Sequence, residues 1–170
     1  VTLLGAALAL ASPARAQDYD LVIRNGRVVD GTGAPWRRAD VAVRGDTIVA
    51  VSPGITAAAR RTIDAAGRVV SPGFIDIHTH ARRGIFEVPT AENYVRQGVT
   101  TLVEGQDGSS PLPLGAFLAK VTALRPAVNF ASLVGHGSVR EAVVGRADRA
   151  PSAAELARMQ DLVPEAMREG

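Results

Sequence analysis

The stretch Phe74-Ile75-Asp76-Ile77-His78-Thr79-His80 is the most informative part of this 170-residue sequence. Its apolar and β-branched residues, preceded by Pro-Gly at 72–73, predict a strand over 74–80. Residues two apart in a strand share a face, so Asp76, His78 and His80 are expected on one side, with both imidazoles at the carboxyl end. Two imidazoles placed in this way can bind one divalent ion and supply half of a tetrahedral zinc site. A chance pair of histidines on a polar strand face is the alternative interpretation.

Strands and helices alternate through the residues that follow this stretch. Further strands are predicted over 99–104 and 127–134, and helices over 90–97, 114–124 and 152–169. Thr90 is the predicted N-cap of the first helix and Gly98 its stop, and Ser152 to Glu155 form a capping box that begins the last one. Alternation at this spacing predicts a parallel sheet built from right-handed crossovers.

Residues 19–72 predict a separate module made of β-strands. Three dipeptides, each between two apolar runs, are predicted as hairpin turns: Asn25-Gly26, Gly45-Asp46 and Ala66-Gly67. The three hairpins predict a small meander of strands, for which a structural role is the preferred interpretation.

Residues 1–16 have the pattern of a secretory signal. They are rich in Ala and Leu through Ala11, are broken by Pro13, and end in the small-residue cleavage pattern Ala14-Arg15-Ala16. Cleavage after Ala16 predicts a secreted or periplasmic protein. The apolar part is shorter than the roughly 20 residues that a membrane-spanning helix needs, so no membrane span is expected. A buried amino-terminal helix is the alternative.

The composition is that of a globular protein. The sequence is 46% hydrophobic and 21% charged, which excludes collagen-like and disordered classes. The 19 Lys and Arg residues are nearly balanced by 17 Asp and Glu residues and form no basic block, so no nucleic-acid partner is expected. The sequence contains no cysteine, which excludes disulfides and thiolate metal sites within it.

Three motifs in order resemble the amidohydrolase superfamily, whose members are metal-dependent hydrolases with a (β/α)8 barrel. They are PGFIDIHTH at 72–80, QGVTTLVEGQDGSSPLP at 97–113 and LVGHGSVR at 133–140, of which the last two resemble the D-aminoacylase (N-acyl-D-amino-acid deacylase) branch more closely. The resemblance implies an α/β fold. About three units of an incomplete barrel would occupy residues 73–170, preceded by a small composite β-sandwich module over 17–72.

The resemblance also implies the chemistry and the metal ligands. The expected reaction is removal of an acyl group from an N-acyl-D-amino acid, a small-molecule substrate, with one or two zinc ions as cofactor. His78 and His80 match the first metal ligands of the family. Asp107 occupies the position where the family typically has a cysteine, and a carboxylate is a competent zinc ligand. Glu104 is the second choice, and a turn or N-cap role is the structural alternative for both carboxylates.

Three further residues are candidates for supporting the ligands or facing the substrate. Asp76 is expected to orient His78, His136 to face the substrate or support the site, and Arg82 to pair with a substrate carboxylate. Ordinary loop and surface roles are the alternatives for His136 and Arg82. No catalytic residue is assigned within these 170 residues.

A barrel of about 250 residues divides into eight units of about 31 residues each, so residues 73–170 provide about three units. We therefore expect an amino-terminal fragment of a longer hydrolase, inactive by itself. The other hypotheses are a different amidohydrolase, such as a dipeptidase or a cyclic-amide hydrolase, and a stand-alone binding module without catalytic activity.

Overall fold

The structure is a computed structural model that describes residues 18–170. The chain divides into two compact units between Pro72 and Gly73. The secretory signal predicted on residues 1–16 lies outside the described residues. Among the residues that are described, no helix is long and apolar enough to cross a membrane.

The amino-terminal unit is a five-stranded sheet. Its strands are β1 (Tyr19–Val28), β2 (Arg37–Arg44), β3 (Thr47–Ser52), β4 (Ala59–Asp64) and β5 (Val69–Val70). The order is β3-β2-β1-β4, and β5 pairs with the carboxyl end of β1. The pairs β1–β2 and β2–β3 are antiparallel, whereas β4 and β5 run parallel to β1. The small core of this unit contains Val28, Ala39 and Val41.

The predicted meander is only partly correct. Gly45-Asp46 does join two antiparallel strands, β2 and β3, as predicted. The hairpin predicted at Asn25-Gly26 is wrong, because β1 runs through this dipeptide with a bulge between Ile23 and Gly26. Ala66-Gly67 forms a turn, but β4 and β5 on either side of it both pair with β1 and not with each other.

Two distant carboxylates explain why Asn25 forms a bulge and not a hairpin turn. Asn25 has a φ of 59°, the left-handed conformation that Asn-Gly favours. Its backbone N–H donates to Asp40 Oδ1 at 2.9 Å and its side-chain amide donates to Asp64 Oδ1 at 2.9 Å. Asp40 is buried, and its Oδ2 accepts a hydrogen bond from the backbone N–H of Ile55 at 2.9 Å. The bulge therefore depends on contacts that lie far away in sequence.

Asp40→Ala is expected to lower the free energy of unfolding of this unit by about 2 kcal/mol, because the backbone N–H groups of Asn25 and Ile55 lose their acceptors. Urea unfolding followed by the fluorescence of Trp36, the only tryptophan of the sequence, measures this change. Asp46→Ala, in the exposed turn between β2 and β3, is the matched control and is expected to change the value by no more than about 0.5 kcal/mol. Equal effects of the two substitutions would contradict the role given to Asp40.

The carboxyl-terminal unit is a three-stranded parallel sheet with helices between and after its strands. The strands are β6 (Phe74–Asp76), β7 (Val99–Glu104) and β8 (Asn129–Ser132), in that spatial order. The helices are α1 (Gly84–Glu87), α2 (Glu92–Val95), α3 (Leu114–Leu124), α4 (His136–Val144) and α5 (Ala153–Glu169). The predicted parallel α/β architecture is confirmed.

One face of this sheet packs against helices. Asp76 on β6, Leu102 on β7 and Phe130 on β8 are register partners, so their side chains form a row on the same face. Leu102 is fully buried and belongs to a core cluster with Ile85 of α1 and Val121 of α3. We call this side of the sheet the helix-facing side.

The longest predicted elements of this unit agree with the structure, and the shorter ones differ. Strand β7, helix α3 and the capping box of Ser152 and Glu155 are found where they were predicted. The predicted helix over 90–97 is reduced to α2, and its N-cap is Ala91 and not Thr90. The strand predicted over 127–134 is reduced to β8, and helices α1 and α4 were not predicted.

The strand predicted over 74–80 ends at Asp76. Asp76 Oδ1 accepts a hydrogen bond from the backbone N–H of His78 at 3.1 Å, which turns the chain away from the strand direction. The alternation of strand faces therefore does not extend to the histidines. The expectation that Asp76 shares one strand face with His78 and His80 was wrong for this reason.

Candidate metal site

His78, His80 and Asp107 come together at one edge of the parallel sheet. Their potential ligand atoms all lie within 4.8 Å of one another. His78 Nε2 is 3.2 Å from Asp107 Oδ1, and His80 Nε2 is 3.2 Å from Asp107 Oδ2. The three side chains are exposed. Two imidazole nitrogens and a carboxylate are a donor set that zinc accepts, so these residues fit a divalent ion.

The three residues meet because their loops follow neighbouring parallel strands. The histidine loop (77–82) follows β6, and the aspartate loop (105–109) follows β7. The carboxyl ends of neighbouring parallel strands lie at the same edge of a sheet, where loop residues from both can meet. Contact between the histidines and Asp107 therefore results from the parallel pairing of β6 and β7.

Backbone and side-chain hydrogen bonds attach the histidine loop to β7. Thr79, which is buried between the two histidines, donates from its backbone N–H and its Oγ1 to the carbonyl of Val103, at 3.0 and 2.9 Å. Gln106 Nε2 donates to the same carbonyl at 2.8 Å and also to the carbonyl of Ile77. With Thr79 turned inward, the neighbouring imidazoles of His78 and His80 are directed outward.

Arg82 connects the two loops in a different way. Its guanidinium donates to the carbonyl and to Oγ of Ser109, both at 3.3 Å. Its backbone N–H donates to Glu104 Oε1 at 2.8 Å. Glu104 is buried, and the structure does not bring it into the group formed by His78, His80 and Asp107.

The remaining two candidates lie outside this group. Asp76 contacts the backbone of His78. Its side chain lies on the helix-facing side, as does that of its register partner Leu102. His136 is exposed and is the first residue of α4, the helix that follows β8. Neither residue is among the three whose ligand atoms converge.

The glycines beside His136 allow the region after β8 to pack closely on the aspartate loop. A Cβ atom on Gly135 would lie 2.5 Å from the carbonyl oxygen of Gly108, and one on Gly137 would lie 2.8 Å from it. Gly135 N–H donates to the buried Ser110 Oγ, and Ser110 N–H donates to Ser138 Oγ, each at 2.8 Å. The small residues of the motif at 133–140 are the sequence signal for this packing. No local sequence pattern indicated the roles of the two serines, Thr79 or Gln106.

Gly135→Ala is expected to destabilise this unit by about 2 kcal/mol, because the added methyl group overlaps the backbone of Gly108. Gly135 has an ordinary φ of −75°, so the effect is steric and not conformational. Displacement of the aspartate loop is expected to lower zinc affinity about 10-fold as well. Urea unfolding followed by far-UV circular dichroism and a zinc titration measure the two effects.

Gly84→Ala is the matched control, because no heavy atom lies within 4 Å of the Cβ that it would add. Gly84 is also helical, where alanine is favoured over glycine. A Gly135→Ala variant as stable as Gly84→Ala would show that Gly135 is not in close contact with Gly108 of the aspartate loop.

The chain is similar to proteins of a known family. Residues 61–169 match the amidohydrolase family. The chain is 37% identical to D-aminoacylase of Alcaligenes xylosoxydans xylosoxydans over 94% of its own length and 38% of that protein. It is 38% identical to N-acyl-D-glutamate deacylase of the same organism, over 91% of its own length and 36% of that protein. The chain thus spans little more than a third of the curated relatives it matches.

Solved structures of such deacylases are also similar to this chain. N-acyl-D-glutamate deacylase from Bordetella bronchiseptica, complexed with zinc and a phosphonate inhibitor, is 38% identical with a TM-score of 0.82, over 88% of this chain and 36% of that one. A D-aminoacylase described for its binuclear metal center is 39% identical with a TM-score of 0.81, over 89% of this chain and 37% of that one. The resemblance to the D-aminoacylase branch is confirmed. Because the family match covers most of the chain, the chain belongs to the amidohydrolase family.

Proposed function

We propose that this chain forms the first part of a metal-dependent hydrolase that removes the acyl group from N-acyl-D-amino acids. The main support for this proposal is the convergence of His78, His80 and Asp107 at the carboxyl edge of the parallel sheet. The similarity to D-aminoacylase and N-acyl-D-glutamate deacylase supports the substrate class. Because the chain spans little more than a third of these relatives, the activity is proposed for the whole protein to which these residues belong.

His78, His80 and Asp107 are the proposed holders of zinc, as one or two ions. Zinc bound there would supply Lewis-acid chemistry, which polarises an amide carbonyl and makes water nucleophilic near neutral pH. Each imidazole presents Nε2 and must carry its proton on Nδ1 to act as a ligand. Asp107 presents one oxygen to each histidine, so its carboxylate could help either imidazole to hold an ion. The exposure of all three side chains leaves room for a substrate.

Arg82 is proposed to pair with the carboxylate of the substrate. A guanidinium has five N–H donors, and the contacts of Arg82 with Ser109 use only part of them. These contacts also hold the guanidinium beside the aspartate loop. His136 is proposed to face the substrate from the region after β8.

The proposed reaction is tested with the whole protein loaded with zinc. N-acyl-D-amino acids are expected to be hydrolysed, and N-acyl-L-amino acids, dipeptides and cyclic amides are not. Removal of the metal with a chelator is expected to abolish turnover, and added zinc to restore it. Turnover of dipeptides or cyclic amides alone would assign another amidohydrolase activity. Zinc binding without turnover of any of them would favour a binding module.

Export to the periplasm or the medium is proposed from the signal pattern of residues 1–16. The mature protein purified from its native host is expected to begin at Gln17. Amino-terminal sequencing measures this, and a mature protein that retains residues 1–16 would contradict the proposal.

A further inference from the structure

We propose that the buried carboxylate of Glu104 positions the histidine loop through the backbone N–H of Arg82 and does not bind a metal ion itself. The inference rests on the metal site proposed above and assigns a positioning residue to it. Three observations carry it: the burial of Glu104, the place of its hydrogen-bond partner in the chain, and the exposure of the ligands.

The first observation is that Glu104 is only 4% exposed. It is the last residue of β7 and lies two residues after Leu102, so its side chain is on the helix-facing side of the sheet. Carboxylates are rarely buried to this degree without a partner, because removing the charge from water is costly. The partner here is the backbone N–H of Arg82, which donates to Oε1 at 2.8 Å.

The second observation is that this partner lies at the end of the histidine loop, two residues after His80. Ala81, between them, is buried in the core cluster with Ile85, and its carbonyl accepts a hydrogen bond from Ile85 N–H. Thr79 holds the middle of the loop on β7. His80 is therefore flanked on both sides by residues whose backbone is fixed, and Glu104 fixes one side.

The third observation is that the ligand side chains are exposed and have little packing of their own to hold them. Their relative positions depend on the backbones of the two loops. An ion that needs ligand atoms at defined distances is bound more tightly when those backbones are held in place before it binds. The Glu104 carboxylate suits this role because it accepts a hydrogen bond from the backbone of Arg82. It is not among the converging ligand atoms.

The test compares three substitutions of Glu104 in the full chain. Glu104→Gln keeps an acceptor oxygen, Glu104→Leu removes it, and Glu104→Asp keeps the charge but withdraws the acceptor by one methylene. Zinc affinity is measured by competition with a chelating indicator, and the amide hydrogen-exchange rate of Arg82 is measured without metal. Glu104→Leu is expected to lower zinc affinity about 10- to 100-fold at unchanged stoichiometry and to accelerate exchange at Arg82. Glu104→Gln is expected to resemble the wild type, and Glu104→Asp to fall between the two.

Glu87 of α1 is exposed and offers matched controls in the same unit. Glu87→Leu and Glu87→Gln are expected to change neither zinc affinity nor exchange at Arg82. If Glu104→Leu does not fold, as judged by circular dichroism, Glu104→Asp tests the same contact with the charge retained.

Two results would overturn the inference. Loss of zinc in Glu104→Gln as large as in Glu104→Leu would make Glu104 a ligand, and unchanged exchange at Arg82 in Glu104→Leu and Glu104→Asp would show that the contact does not hold the loop. A failure of the proposed metal site is distinguishable from both. In that case Asp107→Ala leaves zinc binding unchanged, whereas exchange at Arg82 in the metal-free chain still reports on Glu104.

Discussion

Asp107→Ala is expected to lower the zinc affinity of the chain at least about 100-fold. Loss of a residue that only supports a metal ligand lowers affinity by up to about 100-fold, and loss of a ligand is expected to lower it at least as much. Asp107 is the residue that both imidazoles contact, with Nε2 of His78 and of His80 each 3.2 Å from one of its oxygens. Its removal leaves two exposed histidines, which offer only half of a tetrahedral site. Equilibrium titration with zinc and the metal content after gel filtration measure the loss. In the whole protein, activity is expected to fall together with the metal content.

Two variants sharpen this prediction. Asp148→Ala removes another exposed carboxylate of the same unit and is expected to leave zinc affinity unchanged. Asp107→Cys is expected to retain zinc binding, because a thiolate is a strong zinc ligand. Unchanged metal content in Asp107→Ala, together with loss of metal in Glu104→Gln, would transfer the ligand role to Glu104.

Leu102→Ala is expected to lower the free energy of unfolding of the carboxyl-terminal unit by about 3 kcal/mol, within the usual range for such substitutions in a core. Leu102 is fully buried in the core cluster that contains residues of β7 and of the helices. Its removal leaves a cavity beneath the strand that carries Glu104 and leads into the aspartate loop. The helices of the described residues all lie in this unit, so urea unfolding followed by far-UV circular dichroism reports on it.

Leu156→Ala provides the matched control for Leu102→Ala. Leu156 is on α5 and is exposed, so the same loss of side-chain atoms is expected to cost about 1 kcal/mol or less. A cost for Leu102→Ala no larger than that for Leu156→Ala would contradict the position of Leu102 in the core.

The elements that could be predicted to the residue are those with strong local signals. Helix α5 begins at a capping box, with Ser152 and Glu155 each bonded to the backbone of the other. Strand β7 is a run of β-branched and apolar residues, and α3 follows two prolines. Each of these signals lies within a few residues of the element that it predicts, so no distant contact was needed to locate it.

The elements that could not be predicted depend on distant partners. Asn25-Gly26 has the local pattern of a hairpin, but Asp40 and Asp64 stabilise it as a bulge within β1. Strand β4 pairs with β1 in parallel, which no adjacent turn can indicate. Helix α4 begins within a glycine-rich motif whose packing on Gly108 is visible only in the folded structure.

The sequence by itself determined the family, the parallel α/β order and the residue types of the candidate metal site, because the histidine motif and the alternation of elements are local patterns. Only the tertiary structure decided which of the two candidate carboxylates lies beside the histidines. Parallel pairing of β6 and β7 places Asp107 against both imidazoles, whereas Glu104 lies on the helix-facing side and contacts the backbone of Arg82. The two carboxylates are three positions apart in sequence, and the end of β7 between them turns one outward and leaves the other buried.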